Sequence, residues 1–191
     1  MIALIGNRPV IQVGRHQVHD YDTGWLGDAL RRAARAAERE DFPCLDDIQR
    51  GIEEYLESRC SLQLLPLHEL FDRLRRMLET IGCRPIAEKL EPLAPPITLC
   101  LETLALEVGQ AFELGFFSRL REELGELRRA GAEEVRFIRL RESVLKLRSV
   151  EEWDAECDAL VHEVRDFLRL QDKELRGNRP FAFRVEGERF E

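Results

Sequence analysis

Apolar positions along this chain follow two rhythms, and the places where one gives way to the other mark out its elements. Val10, Ile11 and Val13 precede Gly14-Arg15, and Val18 and Tyr21 follow. That loose alternation predicts a short hairpin, to which Ile2 to Ile5 would add a third strand. Leu26, Leu30, Ala33 and Ala37 then recur at steps of four, three and four. They predict a helix with one apolar face, capped by Asp22 or Thr23 and ended by Asp41, Phe42 and Pro43. A second helix is expected from about Asp46, with Ile48, Ile52, Tyr55 and Leu56 inward. The strongest helical period follows Pro66, in Leu67, Leu70, Phe71, Leu74, Met77, Leu78 and Ile81. Gly82 fits a left-handed C-terminal cap, and Pro85 fits the first turn of a short fourth helix carrying Ile86, Ala87 and Leu90.

The run Glu91 to Pro96 reads EPLAPP. Prolines remove donors and fix backbone angles, so this run is the expected linker, dividing the chain into domains 1–94 and 95–191. Beyond it Ile97, Leu99 and Leu101 alternate with Thr98, Cys100 and Glu102 like a strand. Leu104 to Leu114 stays open between a continued strand, a hairpin around Gly109-Gln110 and an early helix. Phe117, Leu120, Leu124 and Leu127 are spaced helically, with Gly131 as the stop. Val135 to Leu140 and Val144 to Leu147 read as strands. Ser149 with Glu152 makes a capping-box pattern before a helix that turns Trp153, Cys157, Leu160, Val161, Val164 and Phe167 inward. Phe181, Phe183 and Val185 alternate again. The expected fold class is α+β, mainly helical: an N-terminal hairpin with four helices, then a small α+β domain.

Composition narrows the function classes. With 29 basic against 37 acidic residues the formal charge is -8, which argues against nucleic acid as a partner, since phosphate backbones are held by uncompensated Lys and Arg. No run approaches the length of a membrane span, and the start of the chain lacks a secretory pattern, so a cytoplasmic protein with no membrane partner is expected. Five cysteines without a CxxC spacing write neither a disulfide framework nor a zinc site. His16, His19, Asp20 and Asp22 form an HxxHDxD cluster, but His16 and His19 differ in strand parity and read as a polar hairpin edge, with no metal expected. His68 and His162 fall within helical segments, and no nucleophile pairing or phosphate-cradling GxxxxGK loop is present. Glu122, Glu123 and Glu126 read as a solvated helix face.

The first half is similar in outline to the ATP-cone domain, a hairpin and helix cluster that binds ATP or dATP in ribonucleotide reductases and in the bacterial repressor of their genes. The resemblance covers roughly Val10 to Leu93. Its most specific stretch is YDTGWLGDAL, which matches the family's Phe-Asp-x-x-Lys-Ile-x-x-Ala-Ile without gaps: Tyr21 and Asp22 fall on the aromatic-Asp pair, Leu26 on the Ile, Ala29 and Leu30 on the Ala-Ile. Leu67 to Leu90 resembles the family's last helix pair. The family's Lys-Arg pair falls on Val13 and Gly14, and its helix-opening Lys on Trp25, so three positions that would offset a triphosphate are neutral. Arg8, Arg15 or His16 could substitute, since an Arg fork reads phosphate well. With no cysteine before Cys44 the repressor's zinc ribbon is absent, which disfavours that role.

The resemblance therefore implies a non-catalytic regulatory protein whose candidate nucleotide-binding residues are Arg8, Arg15, His16, Tyr21, Asp22 and Trp25. ATP or dATP would be the ligand, and action would run through a protein partner or a homo-oligomer. Two other readings stay open: a constitutive interaction scaffold that has lost nucleotide binding, and an enzyme with a site between the halves.

Overall fold

The computed structural model describes residues 8–40, 44–109, 113–175, 180–185 and 188–189. The fold is mainly helical α+β, and the chain divides into two compact units, Met1–Pro95 and Pro96–Glu191. The division falls inside the proline run.

In the first unit β1 (Val10–Val13) pairs antiparallel with β2 (His16–Val18). Gly14 turns the hairpin at φ +59°, a left-handed conformation open to glycine because it lacks a Cβ. Alternation places Ile11 and Val13 wholly inside. The third strand is β3 (Leu64–Pro66), parallel to β1, so the sheet order is β2-β1-β3. Ile2 to Ile5, expected in that role, lie outside the described residues.

Helix α1 (Gly24–Ala36) buries Trp25, Leu26, Ala29, Leu30 and Ala33. Asp22 Oδ1 accepts the Gly24 N–H at 2.8 Å, whereas the Thr23 side chain makes no cap bond. The helix ends earlier than Asp41, Phe42 and Pro43, which lie outside the described residues. Glu38, at φ 55°, leaves the helical region, and the Ala37 N–H closes the last turn. Helix α2 (Leu45–Glu54) buries Ile48 and Ile52 and passes directly into a π-helical turn, Tyr55–Arg59, that buries Leu56. Helix α3 (Leu67–Thr80) buries Leu67, Leu70, Phe71, Leu74 and Leu78. Ile81 does not continue that face: it is 52% exposed, past the last turn. Gly82 caps at φ +84°, and α4 (Arg84–Lys89) follows with Pro85 in its first turn. Helix α1 packs on α2 and α4, and α3 on α4.

The second unit opens on β4 (Ile97–Cys100), which gives way at Leu101 to α5 (Leu101–Val108), so Leu101 and Glu102 are helical and not strand. Helix α6 (Glu113–Arg129), β5 (Glu134–Ile138), α7 (Leu140–Arg148), α8 (Ala155–Leu175), β6 (Ala182–Val185) and β7 (Glu188–Arg189) complete it. The sheet runs β4-β5-β6-β7, the first three parallel and the last antiparallel. Parallel neighbours need crossover connections, and helix pairs supply them here.

Three further expectations for this unit are corrected. Val144 to Leu147 is helix, because Leu140, Ser143, Val144 and Leu147 form one buried stripe at helical spacing. Ser149 does not begin a capping box. It ends α7 in a left-handed conformation at φ 56°, and Asp154 instead accepts the Cys157 N–H at 2.8 Å, ahead of which Trp153 lies outside α8. Glu123 is not solvated: it is 0% exposed on the inner face of α6, with Arg119 Nη2 at 3.4 Å.

Candidate functional site

Two places in the first unit bear on ligand binding. The first is the junction of hairpin and α1, where the family resemblance puts its ligand. Hydrophobic burial decides the orientation there: the Trp25 indole is 6% exposed, edge-on to Tyr21 with ring centroids 6.3 Å apart and tilted against Phe71 of α3 at 6.2 Å. Its ring N–H donates to the Asp22 carbonyl at 2.8 Å. Tyr21 is buried beside it, its hydroxyl donating to the Pro9 carbonyl at 2.8 Å. Burial, partly offset by the charge of Arg8, pushes that phenol up to about 12.

The polar residues at the junction are engaged in the fold's own bonds. Arg8 Nη1 donates to the Tyr21 carbonyl at 3.0 Å, while Nε, at 3.1 Å, and Nη2 both reach Glu57 Oε1. Asp22 spends its carboxylate on the Gly24 N–H, and the Thr23 hydroxyl donates to Glu53. The Thr23 hydrogen bond, with help from Gln49 and Arg8, holds the Glu53 carboxyl below its usual range, so an anion stands beside the first turn of α1. A helix N-terminus attracts anions through its free N–H groups, and here the Asp22 carboxylate already takes the Gly24 N–H while Glu53 holds the Thr23 hydroxyl beside it.

The structure therefore brings Arg8, Tyr21, Asp22 and Trp25 to one junction, with the rings of Tyr21 and Trp25 buried, Arg8 half-buried and Asp22 exposed at its rim. Arg15 and His16 stand elsewhere, at the hairpin turn. The strand from Pro9 to Gly14 separates them from Arg8 by roughly 15 Å at strand rise. Among the described residues no group of three or more His, Cys, Asp and Glu side chains is placed to hold a metal ion.

The second place was not foreseen from sequence. A groove of about 710 Å³ runs between α2 with its π turn and α3, lined by Gly51, Ile52 and Tyr55 on one side and Glu69, Leu70, Arg73, Leu74, Arg76 and Met77 on the other. Arg73 bridges it: Nη1 donates to the Tyr55 hydroxyl at 2.6 Å and Nη2 to Glu69 at 2.6 Å. The Glu69 bond, then the Tyr55 bond, raises the Arg73 pKa further above its ordinary value. Arg76 is exposed and donates from Nε to its own helix at the Asp72 carbonyl, 3.3 Å away, while the Asp72 carboxylate pairs with Arg75. The signal that could have revealed this face is the spacing Glu69, Arg73, Arg76, Met77, which helical geometry stacks on one side of α3.

No family, no curated protein and no solved structure matches this chain. Among the described residues no helix is long and apolar enough to cross a membrane.

Proposed function

We propose that this is a non-catalytic regulatory protein that acts through a protein partner or by self-assembly, with an N-terminal unit of ATP-cone-like outline that serves as a scaffold and does not hold a triphosphate at the hairpin. The observation that carries the reading is the packed state of the junction. Trp25 stands where a helix-opening Lys would be and is buried, Arg8 is taken by Glu57 and the Tyr21 carbonyl, and Glu53 lies against the first turn of α1. A triphosphate there would have to displace internal bonds and approach a carboxylate held ionised. The mixed three-stranded sheet and the helices α1 to α4 support the cone-like outline, since YDTGWLGDAL sits at the passage from sheet to first helix.

The test is a thermal-shift titration of the full chain with ATP, dATP and other nucleotides in the presence of magnesium. A ligand at a hundredfold its Kd adds about 2.7 kcal/mol to the folded state. For a chain of this size that is a rise in Tm of roughly 5 to 10 °C. No nucleotide is expected to produce it, and a saturable rise of that size with ATP or dATP would overturn the reading.

A further inference from the structure

The groove between α2 and α3 presents Arg76, which among the described residues has no carboxylate partner, in a chain whose formal charge is -8. Acids are in excess, and neighbouring arginines on the same helix, Arg73 and Arg75, each hold one. Arg76 lies one turn beyond Arg73 on the face that lines the groove. Arg73 is itself fixed by Tyr55 and Glu69, using two of its five N–H donors, so those that remain are already oriented. Tyr55 accepts from Arg73 and keeps its own hydroxyl proton to donate. It stands at the start of the π turn, and π turns recur at functional sites because they re-aim the side chains they carry.

The remaining wall is apolar: Ile52, Leu70, Leu74 and Met77, the last a flexible side chain that adapts to varied shapes. Nine residues line the groove, where a stable protein interface takes about 20 to 30 a side. Its volume of about 710 Å³ falls within the range of small-molecule sites.

We propose that this groove binds a small amphiphilic anion, a carboxylate or phosphate on an aliphatic body, with the head group on Arg76 and Arg73 and the body along Ile52, Leu70, Leu74 and Met77. The proposal stands independently of the cone-like reading, since none of these residues belongs to the hairpin junction.

Isothermal titration of the full-length protein with decanoate, decyl phosphate, decanol and decyltrimethylammonium, each below its micellar concentration, tests it. The two anions should bind saturably, and the neutral and cationic probes at least about tenfold more weakly, the worth of one charge-assisted hydrogen bond. Whichever anion binds more tightly identifies the head group. Arg76→Gln, at an exposed position, should leave Tm unchanged and abolish the preference for anions, and Arg76→Lys should restore part of it. Decanol binding as tightly as decanoate would overturn the proposal, as would anion binding that Arg76→Gln leaves intact. Absence of saturable binding by either anion would also overturn it, leaving the groove to a helix of a protein partner.

Discussion

Replacing Trp25 separates a core residue from a ligand-facing one. The indole is 6% exposed, touches the rings of Tyr21 and Phe71, and donates its N–H to the Asp22 carbonyl at 2.8 Å. Trp25→Phe keeps a ring in place but removes the donor, at a cost of about 1 kcal/mol for the bond and somewhat more for the lost ring volume. Trp25→Ala also opens a cavity between α1 and α3, and substitutions of that kind cost about 3 to 5 kcal/mol. Amide hydrogen exchange followed segment by segment reads both, since the most protected amides report the opening of the unit that contains them. At tenfold per roughly 1.4 kcal/mol, the slowest amides of α1 and α3 should exchange on the order of a hundredfold faster or more in Trp25→Ala, and about tenfold faster in Trp25→Phe. An acceleration of no more than about twofold in the Ala variant is what an exposed residue gives. That result would refute the packed junction and return Trp25 to the candidate nucleotide-binding residues.

The buried Tyr21 phenol, raised to about 12, favours the protonated form in the folded state, whereas the unfolded chain ionises near 10. Stability should therefore be intact below pH 10 and fall by about 2 kcal/mol as pH rises from 10 to 12, measured by urea unfolding, and Tyr21→Phe should remove that fall. Two glycines of the first unit should respond with opposite sign to Ala in the same assay. At Gly51, in α2 with open space around it, Ala should stabilise by up to about 1 kcal/mol, while at Gly82, at φ +84°, Ala should destabilise by about 1 to 2 kcal/mol. In the second unit Asp154→Ala should cost about 1 kcal/mol through the lost cap on the Cys157 N–H, and Ser149→Gly should stabilise by up to about 1 kcal/mol by relieving its left-handed backbone. The reverse ranking would restore Ser149 as the cap of α8.

Elements were legible where each carried its own boundary signal. Gly14, Gly82 and Pro85 mark the hairpin turn, the end of α3 and the start of α4, and the stripe from Leu67 to Leu78 needs no partner to be recognised. Strand β3 was not legible, because three residues pair with a strand some fifty positions earlier and nothing local announces that partner. Helix α7 was hidden by Ser143. Its buried stripe reads Leu140, Ser143, Val144, Leu147, and the polar member breaks the apolar period although its hydroxyl is satisfied by the Leu140 carbonyl at 2.7 Å. Glu123 failed in the opposite way. Its place between Leu120 and Leu124 puts it on the buried face of α6, and counting it as a charge concealed its place in the period.

The candidate sites were harder to read for a related reason: sequence supplies residue types, but function depends on which groups are still available once the fold has used what it needs. Arg8, Asp22 and Trp25 are types suited to a nucleotide, yet a carboxylate, a backbone N–H and two aromatic rings take them up. Asp72 shows how narrow the margin is. Its carboxylate can reach Arg75 three positions on or Arg76 four positions on, both permitted on a helix, and it takes Arg75. That choice leaves Arg76 at the groove with only a backbone carbonyl, while Arg75, besides holding Asp72, donates from its other nitrogens to the Leu90 carbonyl at 2.9 and 3.1 Å. The arginine of α3 that is tied to the segment after α4 is thus also the one that holds Asp72, and Arg76 is the one left over. That Arg76 reaches the groove without a carboxylate depends on tertiary contacts of its neighbour at Leu90, which the local pattern of α3 does not contain.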